Sequence, residues 1–337
     1  MLTEFSKPSQ DVARHTALLI DQNQALLDRQ RKIATKLQGG PGRAFCIICA
    51  QFLSESPAFE HRGVPYAECS HCGHIQCSIE APANYPYAEQ DFADIYRPLD
   101  AAAYAERTSR IYEPKRDWAL RSARAAGIDD LMERSWLELG SGAGHFLSAL
   151  RAGGASRIAG VEAELPLVAQ AGAILGHDVT RHFSGALGEA VRAYPAEVYA
   201  AWFVLEHCLE TAALLDALRE KPRGTVFMFS VPTYGLATLL ESACDGHYAR
   251  SLDSVLHTQL FTDRSIRHAM ARAGYEIKAE WLFGQDADDL YRALIVKGAG
   301  ATSQPALARL EGALSEIQNA IDRARLSDSR HILAVRS

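Results

Sequence analysis

Short apolar runs alternate with helix-like stretches through the second half of the chain, from Ser135 onward. The strands of a parallel sheet that is covered on both faces are continuously apolar and are joined by helices. The pattern therefore predicts an α/β domain, a mostly parallel sheet with helices on both faces. The predicted strands are Trp136–Leu139, Arg157–Glu162, Asp178–Phe183, Val198–Phe203, Thr225–Val231, Tyr275–Phe283 and Leu290–Lys297.

Amphipathic helices are predicted at both ends of the chain. Residues 9–38 repeat an apolar side chain every seven positions, which indicates one helix resting on the body of the protein. A coiled coil is disfavoured because the other seam positions are His15, Gln22 and Arg29. The tail carries a seam that must pack against the N-terminal helix, the core domain or a second subunit. The apolar positions are Val12, Leu19, Leu26 and Ile33 in the first helix and Leu307, Leu310, Leu314, Ile317 and Ile321 in the second.

The composition is that of a globular protein without a strong charge bias. Of 337 residues 48% are hydrophobic, and the formal net charge is −6 with no long run of one sign. A nucleic-acid partner is disfavoured because phosphate binding needs a basic face. No apolar segment is long enough to span a membrane, and the first residues lack the apolar centre of a secretory signal. We therefore expect a cytoplasmic protein.

Five of the seven cysteines lie within residues 46–77. A reducing cytoplasm disfavours disulfides, so this clustering points to a metal. Two Cys-x-x-Cys pairs, nineteen residues apart, supply four thiolates that can face one zinc ion tetrahedrally. Four protein ligands leave no open position, so the predicted zinc is structural. The predicted ligands are Cys46, Cys49, Cys69 and Cys72, whereas Cys77 is expected to be an ordinary buried thiol.

Glycine, proline and cysteine positions divide the chain into five predicted parts. The run Gly39-Gly40-Pro41-Gly42 ends the first helix. An aromatic connector punctuated by prolines separates the cysteines from the α/β domain. The predicted parts are an N-terminal helix (1–42), a zinc ribbon (43–80), a connector with a helical lead-in (81–134), the α/β domain (135–298) and a C-terminal helix (299–337).

The segment Trp136–Leu147, W-L-E-L-G-S-G-A-G-H-F-L, carries the chemistry of a binding site. A glycine turn between a strand and a helix presents backbone N–H groups and lets a ligand touch the backbone. Glu138 would repel a pyrophosphate there but would attract an ammonium group. Glu162 ends the next predicted strand, where a carboxylate can accept hydrogen bonds from both ribose hydroxyls. Together these residues predict S-adenosylmethionine, which carries an amino group, a ribose and a sulfonium but no phosphate.

Around these residues the chain resembles the class I S-adenosylmethionine-dependent methyltransferases. Over residues 110–297, L-E-L-G-S-G-A-G is similar to the first motif of that family and G-V-E to its acidic second motif. The family's fourth strand and the turn after it resemble E-V-Y-A-A-W-F-V-L-E-H. The family's sequence before and into the sixth strand resembles H-T-Q-L-F-T and A-G-Y-E-I. The resemblance implies a Rossmann-like sheet of seven strands with the last antiparallel. A zinc ribbon ahead of such a domain is similar to sugar methyltransferases of antibiotic and surface-polysaccharide pathways.

The resemblance places the cofactor on the glycine turn and the two carboxylates. The third strand lacks the acidic residue that normally follows it near adenine. Adenine is therefore expected to rely on the ring of Phe183 and on polar groups such as Ser184. The expected cofactor-binding residues are Glu138, Gly140, Ser141, Gly142, Gly144, Glu162, Phe183 and Ser184.

Candidate catalytic residues lie at the carboxyl edge of the predicted sheet, where α/β proteins hold their ligands. His207 is the first candidate base because imidazole titrates near neutral pH, with Glu206 orienting it; packing against the next helix is the alternative. His257 is a second candidate, since the family tends to fold its segment over the pocket, and a surface or helix-start role is the alternative. Some methyltransferases bind a metal on Glu-x-x-Glu-His at this turn. Phe203 replaces the first carboxylate here, so the sequence disfavours a catalytic metal.

The sequence favours an enzyme that transfers a methyl group from S-adenosylmethionine to a small molecule. The expected acceptor is a sugar or sugar nucleotide of surface-polysaccharide or secondary metabolism. The alternatives are a non-catalytic scaffold or binding module and a methyltransferase that acts on RNA or protein. The terminal helices would allow a homo-oligomer. Whether carbon, oxygen or nitrogen accepts the methyl group stays open, because one fold serves all three reactions.

Overall fold

The computed structural model describes residues 1–6, 20–54, 56–80, 99–244, 246–250, 252, 257–298 and 303–337. The predicted helix positions Val12, His15 and Leu19 and the connector over 81–98 lie outside the described residues. The strands are β1 (Leu2–Phe5), β2 (Phe59–His61), β3 (Val64–Glu68), β4 (Ile75–Cys77), β5 (Trp136–Leu139), β6 (Ile158–Glu162), β7 (Thr180–His182), β8 (Val198–Trp202), β9 (Val226–Pro232), β10 (Gln259–Leu260), β11 (Tyr275–Phe283) and β12 (Ser329–Arg336).

Helices of very different length connect these strands. A π-helical turn over Thr108–Tyr112 joins α2 to α3, and 3₁₀ turns lie at Leu131–Glu133 and Leu205–His207. The α-helices are α1 (Asn23–Leu37), α2 (Ala101–Arg107), α3 (Glu113–Ala125), α4 (His145–Ala152), α5 (Leu165–Leu175), α6 (Leu187–Ala193), α7 (Thr211–Arg219), α8 (Leu236–Ala243), α9 (Asp263–Ala273), α10 (Asp286–Lys297) and α11 (Gln304–Arg323). Within the described ranges, none of the helices combines the length and the hydrophobicity that crossing a membrane requires.

Eight strands form the main sheet, in the order β1-β11-β12-β9-β8-β5-β6-β7. Strands β5 to β9 are mutually parallel, whereas β12 runs antiparallel to both β9 and β11. The predicted Rossmann-like α/β sheet is therefore confirmed, with β1 added as an eighth strand beside β11. The first five predicted strands coincide with β5 to β9 within two residues at each end, and the predicted strand Tyr275–Phe283 is β11.

Alternate residues of the central strands enter two hydrophobic clusters on opposite faces of the sheet. On β8, Tyr199 and Ala201 belong to one cluster, and Val198 and Ala200 to the other. This alternation follows from the two-residue period of a strand. Side chains from α6, α7 and α9 enter the first cluster, and those from α3 and α4 enter the second. Helices thus cover both faces and leave the strand ends at the edge of the sheet accessible.

The strand predicted at Leu290–Lys297 is wrong, because this segment is the second part of helix α10. Asp286, Asp288 and Asp289 occupy its first turn, where carboxylates stabilise a helix through its dipole. The antiparallel strand of the sheet is β12, which follows α11 in the predicted C-terminal helical region. It inserts between β9 and β11, with Leu333 opposite Met228.

Both terminal helices pack within the same chain. The apolar seam of α11 contacts α10 and the start of α8 through a cluster of Leu314, Ile321 and Ala287, with Leu236 and Tyr291 packed against it. The seam therefore covers the core domain, one of the three surfaces that the sequence left open. Helix α1 packs against the cysteine-rich sheet, and its buried side chains there are Ile33, Ala34 and Leu37. Assembly through these helices stays a prediction.

The cysteine-rich segment forms a second sheet that is continuous with the α/β domain. Its order is β10-β4-β3-β2, and β10 comes from between α8 and α9. Gln259 and Leu260 of β10 pair antiparallel with β4. Arg264 of α9 donates hydrogen bonds to the carbonyls of Ser70 and His71, and Arg272 donates to that of Ile48. Ribbon and domain thus share a sheet and a set of hydrogen bonds.

Truncation of a β12 side chain should destabilise the whole domain. Leu333 is fully buried, so Leu333→Ala should lower the free energy of unfolding by about 2–5 kcal/mol. Leu326, which is 47% exposed just before β12, is the matched control. Leu326→Ala should change the free energy by less than about 0.5 kcal/mol in urea denaturation followed by circular dichroism. Equal effects of the two changes would contradict a core position for β12.

Candidate functional site

A cleft lies at the carboxyl ends of β5, β6 and β8, with a cavity of about 410 Å³. Open α/β sheets hold their ligands at this edge, next to the strands where the chain order reverses. The lining residues come from the ends of these strands and the turns that follow them, from the loop after β7, from α5 and from the π-helical turn before α3. They include Tyr112, Glu138, Gly140, Ser141, Gly142, Glu162, Leu167, Phe183, Ser184, Trp202, Phe203, Val204 and His207.

The glycine turn after β5 is held open by Glu162. The Glu162 carboxylate accepts hydrogen bonds from the N–H of Gly142, at 2.7 Å, and from that of Glu164, at 3.0 Å. Gly140 and Gly142 have φ values of 65° and 53°, which L side chains rarely adopt. Gly144 does not line the cavity. A Cβ there would lie 2.7 Å from Leu175, so this glycine allows α4 to pack closely on α5.

Two ionisable groups of opposite type, Glu138 and Lys115, are buried at and near the inner end of the cleft without forming an ion pair with each other. Glu138 is 3% exposed, and its Oε2 has no hydrogen-bond partner among the described residues. Burial raises the pKa of Glu138 well above its usual value, although Lys115 opposes the shift. Lys115 is also 3% exposed, and burial lowers its pKa to about 8. Its ammonium lies 4.7 Å from the ring centre of Tyr112, 5.4 Å from that of Trp202 and 5.5 Å from that of Phe203.

The outer end of the cleft is formed by the loop after β7. Phe183 and Ser184 both line the cavity, as do Gly185 and Leu187. The ring of Phe183 meets Tyr194 edge to face at 6.3 Å. Phe183 also packs against the hydrophobic cluster under this face of the sheet. This end therefore offers a flat aromatic surface beside a hydroxyl group.

The turn after β8 carries two predicted catalytic residues, of which one lines the cleft. Phe203 has a φ of 56°, which is uncommon for a bulky residue, and it is followed by the 3₁₀ turn Leu205–His207. His207 lines the cavity. Glu206 is 1% exposed, its Oε2 has no hydrogen-bond partner among the described residues, and burial raises its pKa to about 8. His207 Nε2 lies 3.9 Å from Glu206 Oε1.

The third predicted catalytic residue, His257, reaches the same place from a distant part of the chain. The rings of His207 and His257 stack with centres 5.1 Å apart. Glu206, His207 and His257 each offer one ligand atom, and these atoms all lie within 4.8 Å of one another. We call these three residues the acceptor cluster. His207 alone of the three lines the cavity, so it is the member that faces the ligand space.

Hydrogen bonds from the start of β10 fix the position of His257. Gln259 Nε2 donates to the carbonyls of Leu205, at 2.5 Å, and Cys208, at 2.7 Å. The hydroxyl of Thr258 donates to the carbonyl of Glu206 at 3.3 Å. Because β10 also pairs with β4, the cysteine-rich sheet holds this segment from the other side. His257 is therefore placed by a sheet that the α/β domain shares with the ribbon.

The four predicted zinc ligands come together as a buried group. Their sulfur atoms all lie within 4.8 Å of one another, with Cys46 and Cys72 at 3.6 Å and Cys49 and Cys69 at 3.5 Å. Sulfurs bound tetrahedrally at 2.3 Å from zinc are about 3.8 Å apart, so the donor set fits this ion. A hydrogen bond from Cys72 lowers the pKa of Cys46 to about 5. Cys77 is buried outside the group, and its thiol donates to the carbonyl of Ile79.

A methyltransferase-domain family profile matches residues 101–280, which is more than half of the chain. The chain belongs to this methyltransferase-domain family. No curated protein matches the chain. The family match and the strand order together give the domain the class I S-adenosylmethionine-dependent methyltransferase fold, as predicted.

Several solved methyltransferases are similar to the chain at low sequence identity. Magnesium protoporphyrin IX methyltransferase from Synechocystis PCC 6803 with bound SAH is 14% identical, with a TM-score of 0.45 over 75% of this chain and 95% of that one. A SAM-dependent methyltransferase from Archaeoglobus fulgidus is 14% identical, with a TM-score of 0.41 over 70% and 100%. Geranyl diphosphate C-methyltransferase from Streptomyces coelicolor A3(2) is 11% identical, with a TM-score of 0.41 over 73% and 88%.

Lys115 is a residue of the methyltransferase domain that the sequence reasoning missed. It lies on α3, before the glycine turn, in a segment that read only as a helical lead-in. Among the residues that the structure describes, its ammonium makes no hydrogen bond or ion pair and lies within 5.5 Å of three aromatic ring centres. A lysine at a buried helix position was the one available signal, because lysine is almost never fully buried without a partner.

Replacement of a glycine in this turn by alanine should destabilise the protein more at Gly140 than at Gly142. Ala at either Gly140 or Gly142 costs about 1–2 kcal/mol in the left-handed region. At Gly140 the new Cβ would also lie 2.7 Å from a methyl group of Val204, whereas at Gly142 it meets nothing within 4 Å. Overpacking adds about 1–3 kcal/mol. We therefore expect urea denaturation to show a larger loss for Gly140→Ala, and equal losses would contradict this contact.

Proposed function

We propose that this protein transfers a methyl group from S-adenosylmethionine to a small molecule, and that the acceptor is a sugar or sugar nucleotide. One observation carries the proposal: a single cleft is lined by the open glycine turn, by the buried carboxyl group of Glu138 and by His207 of the acceptor cluster. Methyl transfer is an in-line displacement, so the protein must align the acceptor with the methyl carbon and exclude water. The cleft offers a separate place for each reactant.

Glu138 and Lys115 are complementary to the amino-acid end of the cofactor. A free α-amino acid group carries an ammonium and a carboxylate, and both are desolvated in a buried cleft. In our proposal Glu138 accepts from the ammonium and Lys115 donates to the carboxylate, so each buried charge gains its partner. Glu162 would accept the ribose hydroxyls, and Phe183 with Ser184 would hold the adenine.

The acceptor cluster is proposed to handle the proton that the acceptor loses. His207 faces the cavity, and Glu206 and His257 lie directly behind it. The hypothesis that His207 is itself the base, oriented by Glu206, stays a prediction. A polar cluster next to aromatic walls suits a polyhydroxylated acceptor. A sugar also agrees with the ribbon ahead of the domain, the arrangement that resembles sugar-pathway methyltransferases.

Titration calorimetry with S-adenosylmethionine on folded protein tests the cofactor assignment. Wild type should show one site, and Glu162→Gln should weaken binding by about 10–100-fold, because a hydrogen bond to a charged group contributes about 1.5–3 kcal/mol. Glu276→Gln, an exposed position on β11, should leave the affinity unchanged. No binding by folded wild-type protein would contradict the proposal.

Methyl-labelled cofactor then identifies the acceptor. We expect label to enter a sugar or sugar nucleotide from a panel or from a small-molecule extract, as detected by mass spectrometry. Label appearing in RNA or protein would contradict a small-molecule acceptor. Cofactor binding without transfer to any fraction would favour the scaffold alternative.

Replacement of Lys115 should move stability and cofactor affinity in opposite directions. The folded state lowers the pKa of Lys115 from 10.5 to about 8, so its charged form is disfavoured by folding at every pH below about 8. Lys115→Met should therefore raise the free energy of unfolding by about 1–3 kcal/mol at pH 7, with a smaller gain as pH rises from 8 toward 10.5. The same variant should bind the cofactor at least about tenfold more weakly in calorimetry.

Lys278→Met provides the surface control for this variant. Lys278 is paired with Glu276 at 2.6 Å on the surface of β11, so both properties should stay within about 0.5 kcal/mol of wild type. A loss of stability in Lys115→Met would show that Lys115 supports the fold, which the proposed role does not allow.

A structural zinc ion is proposed on the four clustered cysteines. Cys69→Ser should remove one zinc per chain, as measured by elemental mass spectrometry, and should lower the stability of the ribbon because metal binding and folding are coupled. Cys77→Ser, which changes an equally buried cysteine outside the cluster, should keep the full zinc content. Unchanged zinc in Cys69→Ser would contradict the assignment.

A further inference from the structure

The acceptor cluster has the donor set of a metal site. It combines one carboxylate and two imidazoles, with the three ligand atoms within 4.8 Å of one another. Ligand atoms that bind one ion tetrahedrally at about 2.0–2.2 Å are about 3.3–3.6 Å apart, so side-chain movements of up to about 1.5 Å would bring all three onto one ion. The expectation against a metal rested on Phe203, a near neighbour along the chain. The third ligand is instead His257, fifty residues away from His207.

The buried carboxylate of Glu206 gives an independent indication that a cation binds between these three residues. The side chain is 2% exposed and points beside His207, yet its Oε2 finds no hydrogen-bond donor in the described residues. A buried carboxylate oxygen is unfavourable unless a donor or a cation satisfies it. A cation held jointly with the two imidazoles would supply that partner.

The backbone holds the three ligands in place before anything binds. Glu206 and His207 belong to one 3₁₀ turn, and hydrogen bonds from Thr258 and Gln259 tie the chain after His257 to that turn. Such a frame holds the backbone of the three ligands together, so that side-chain rotation can complete the coordination.

We propose that the acceptor cluster binds one divalent transition-metal ion, and that this ion holds a hydroxyl oxygen of the methyl acceptor. Imidazole and carboxylate together suit ions such as Mn²⁺, Fe²⁺, Co²⁺ and Zn²⁺. Three protein ligands leave coordination positions open for a substrate, in contrast to the four cysteines of the ribbon. His207, which lines the cavity, directs the open side toward the cofactor cleft. The role in catalysis rests on the proposed function, whereas metal binding does not.

The ion would act on the acceptor by making its hydroxyl acidic. The hydroxyl oxygen replaces a metal-bound water, and its proton leaves to solvent water. The resulting oxygen attacks the methyl carbon of S-adenosylmethionine. A carbon–oxygen bond forms, the carbon–sulfur bond breaks, and its electron pair stays on sulfur as S-adenosylhomocysteine. No base on the protein is needed in this step.

Manganese binding tests the site without any substrate. The full chain is first loaded with zinc, and a chelator then removes the more weakly held zinc until one ion per chain remains, which the four thiolates of the ribbon hold in preference to Mn²⁺. Mn²⁺ is then added, and the free ion is measured by electron paramagnetic resonance. We expect wild type to bind one Mn²⁺ saturably and Glu206→Gln and His257→Ala to bind at least tenfold more weakly. His247→Ala, an exposed histidine outside the cluster, is the control and should bind as wild type does.

Folding of each variant is checked by circular dichroism and by S-adenosylmethionine binding. If folded wild type binds no Mn²⁺ saturably, or if both cluster variants bind it as wild type does, the metal site is overturned. If a variant fails to fold, His207→Ala replaces it, because this side chain is partly exposed.

An activity experiment separates this inference from the proposed function. With an acceptor from the labelling experiment, removal of the second metal should reduce transfer at least tenfold, and Mn²⁺ should restore it, while S-adenosylmethionine binding stays unchanged. Full transfer after metal removal would overturn the metal's role and leave His207 as a metal-free base. Loss of cofactor binding in wild type would refute the proposed function but would leave the manganese result standing.

Discussion

Buried ionisable groups whose polar atoms are incompletely hydrogen-bonded are the constraint on which the cleft depends. Glu138 and Glu206 each have a carboxylate oxygen without a hydrogen-bond donor in the described structure, and the ammonium of Lys115 lies near three aromatic rings. Each group is unfavourable in the free protein, because burial removes its water without replacing it. They lie around one cleft, next to strand ends that the helices on the two faces leave accessible. The energetic cost is concentrated where a charged ligand can offset it.

The ribbon takes part in this arrangement through an ordinary strand pairing. Strand β10 joins the cysteine-rich sheet, while Gln259 within it donates to the turn that carries Glu206 and His207. His257 is thereby positioned from two sides. The cysteine-rich sheet can therefore affect the acceptor cluster without lining the cleft, because it helps to set the position of His257.

Local patterns predicted the parts of the fold that depend on neighbouring residues. The strands β5 to β9, the turn after β5 and the clustering of the four cysteines lie where the sequence predicts them, since each is specified by a few adjacent positions. The strand predicted at Leu290–Lys297 was wrong because a short apolar run does not distinguish a strand from a half-buried helix. The acidic first turn of α10 is the signal that indicates a helix. β12 was missed because its strand character depends on insertion between β9 and β11.

The residues of the candidate site likewise fall into those that a local motif predicts and those that only contacts between distant segments bring together. Glu138, Glu162 and the glycines follow from a motif, and the structure brings all but Gly144 to the cavity. Lys115 comes near Glu138 only because α3 packs beside α4, the helix that follows the glycine turn, and no spacing along the chain encodes that proximity. The metal-ligand geometry of the acceptor cluster likewise appears only when distant segments are placed together in space.

The position of β12 has a consequence for how the protein is made on the ribosome. The main sheet has a gap between β9 and β11 until residues 329–336 are available to fill it. Every other strand of the sheet is synthesised earlier, so the nascent chain must wait with two strand edges and their apolar faces uncovered. Chaperone contact during translation should accordingly concentrate on β9 and β11, and release should follow emergence of the last strand from the exit tunnel.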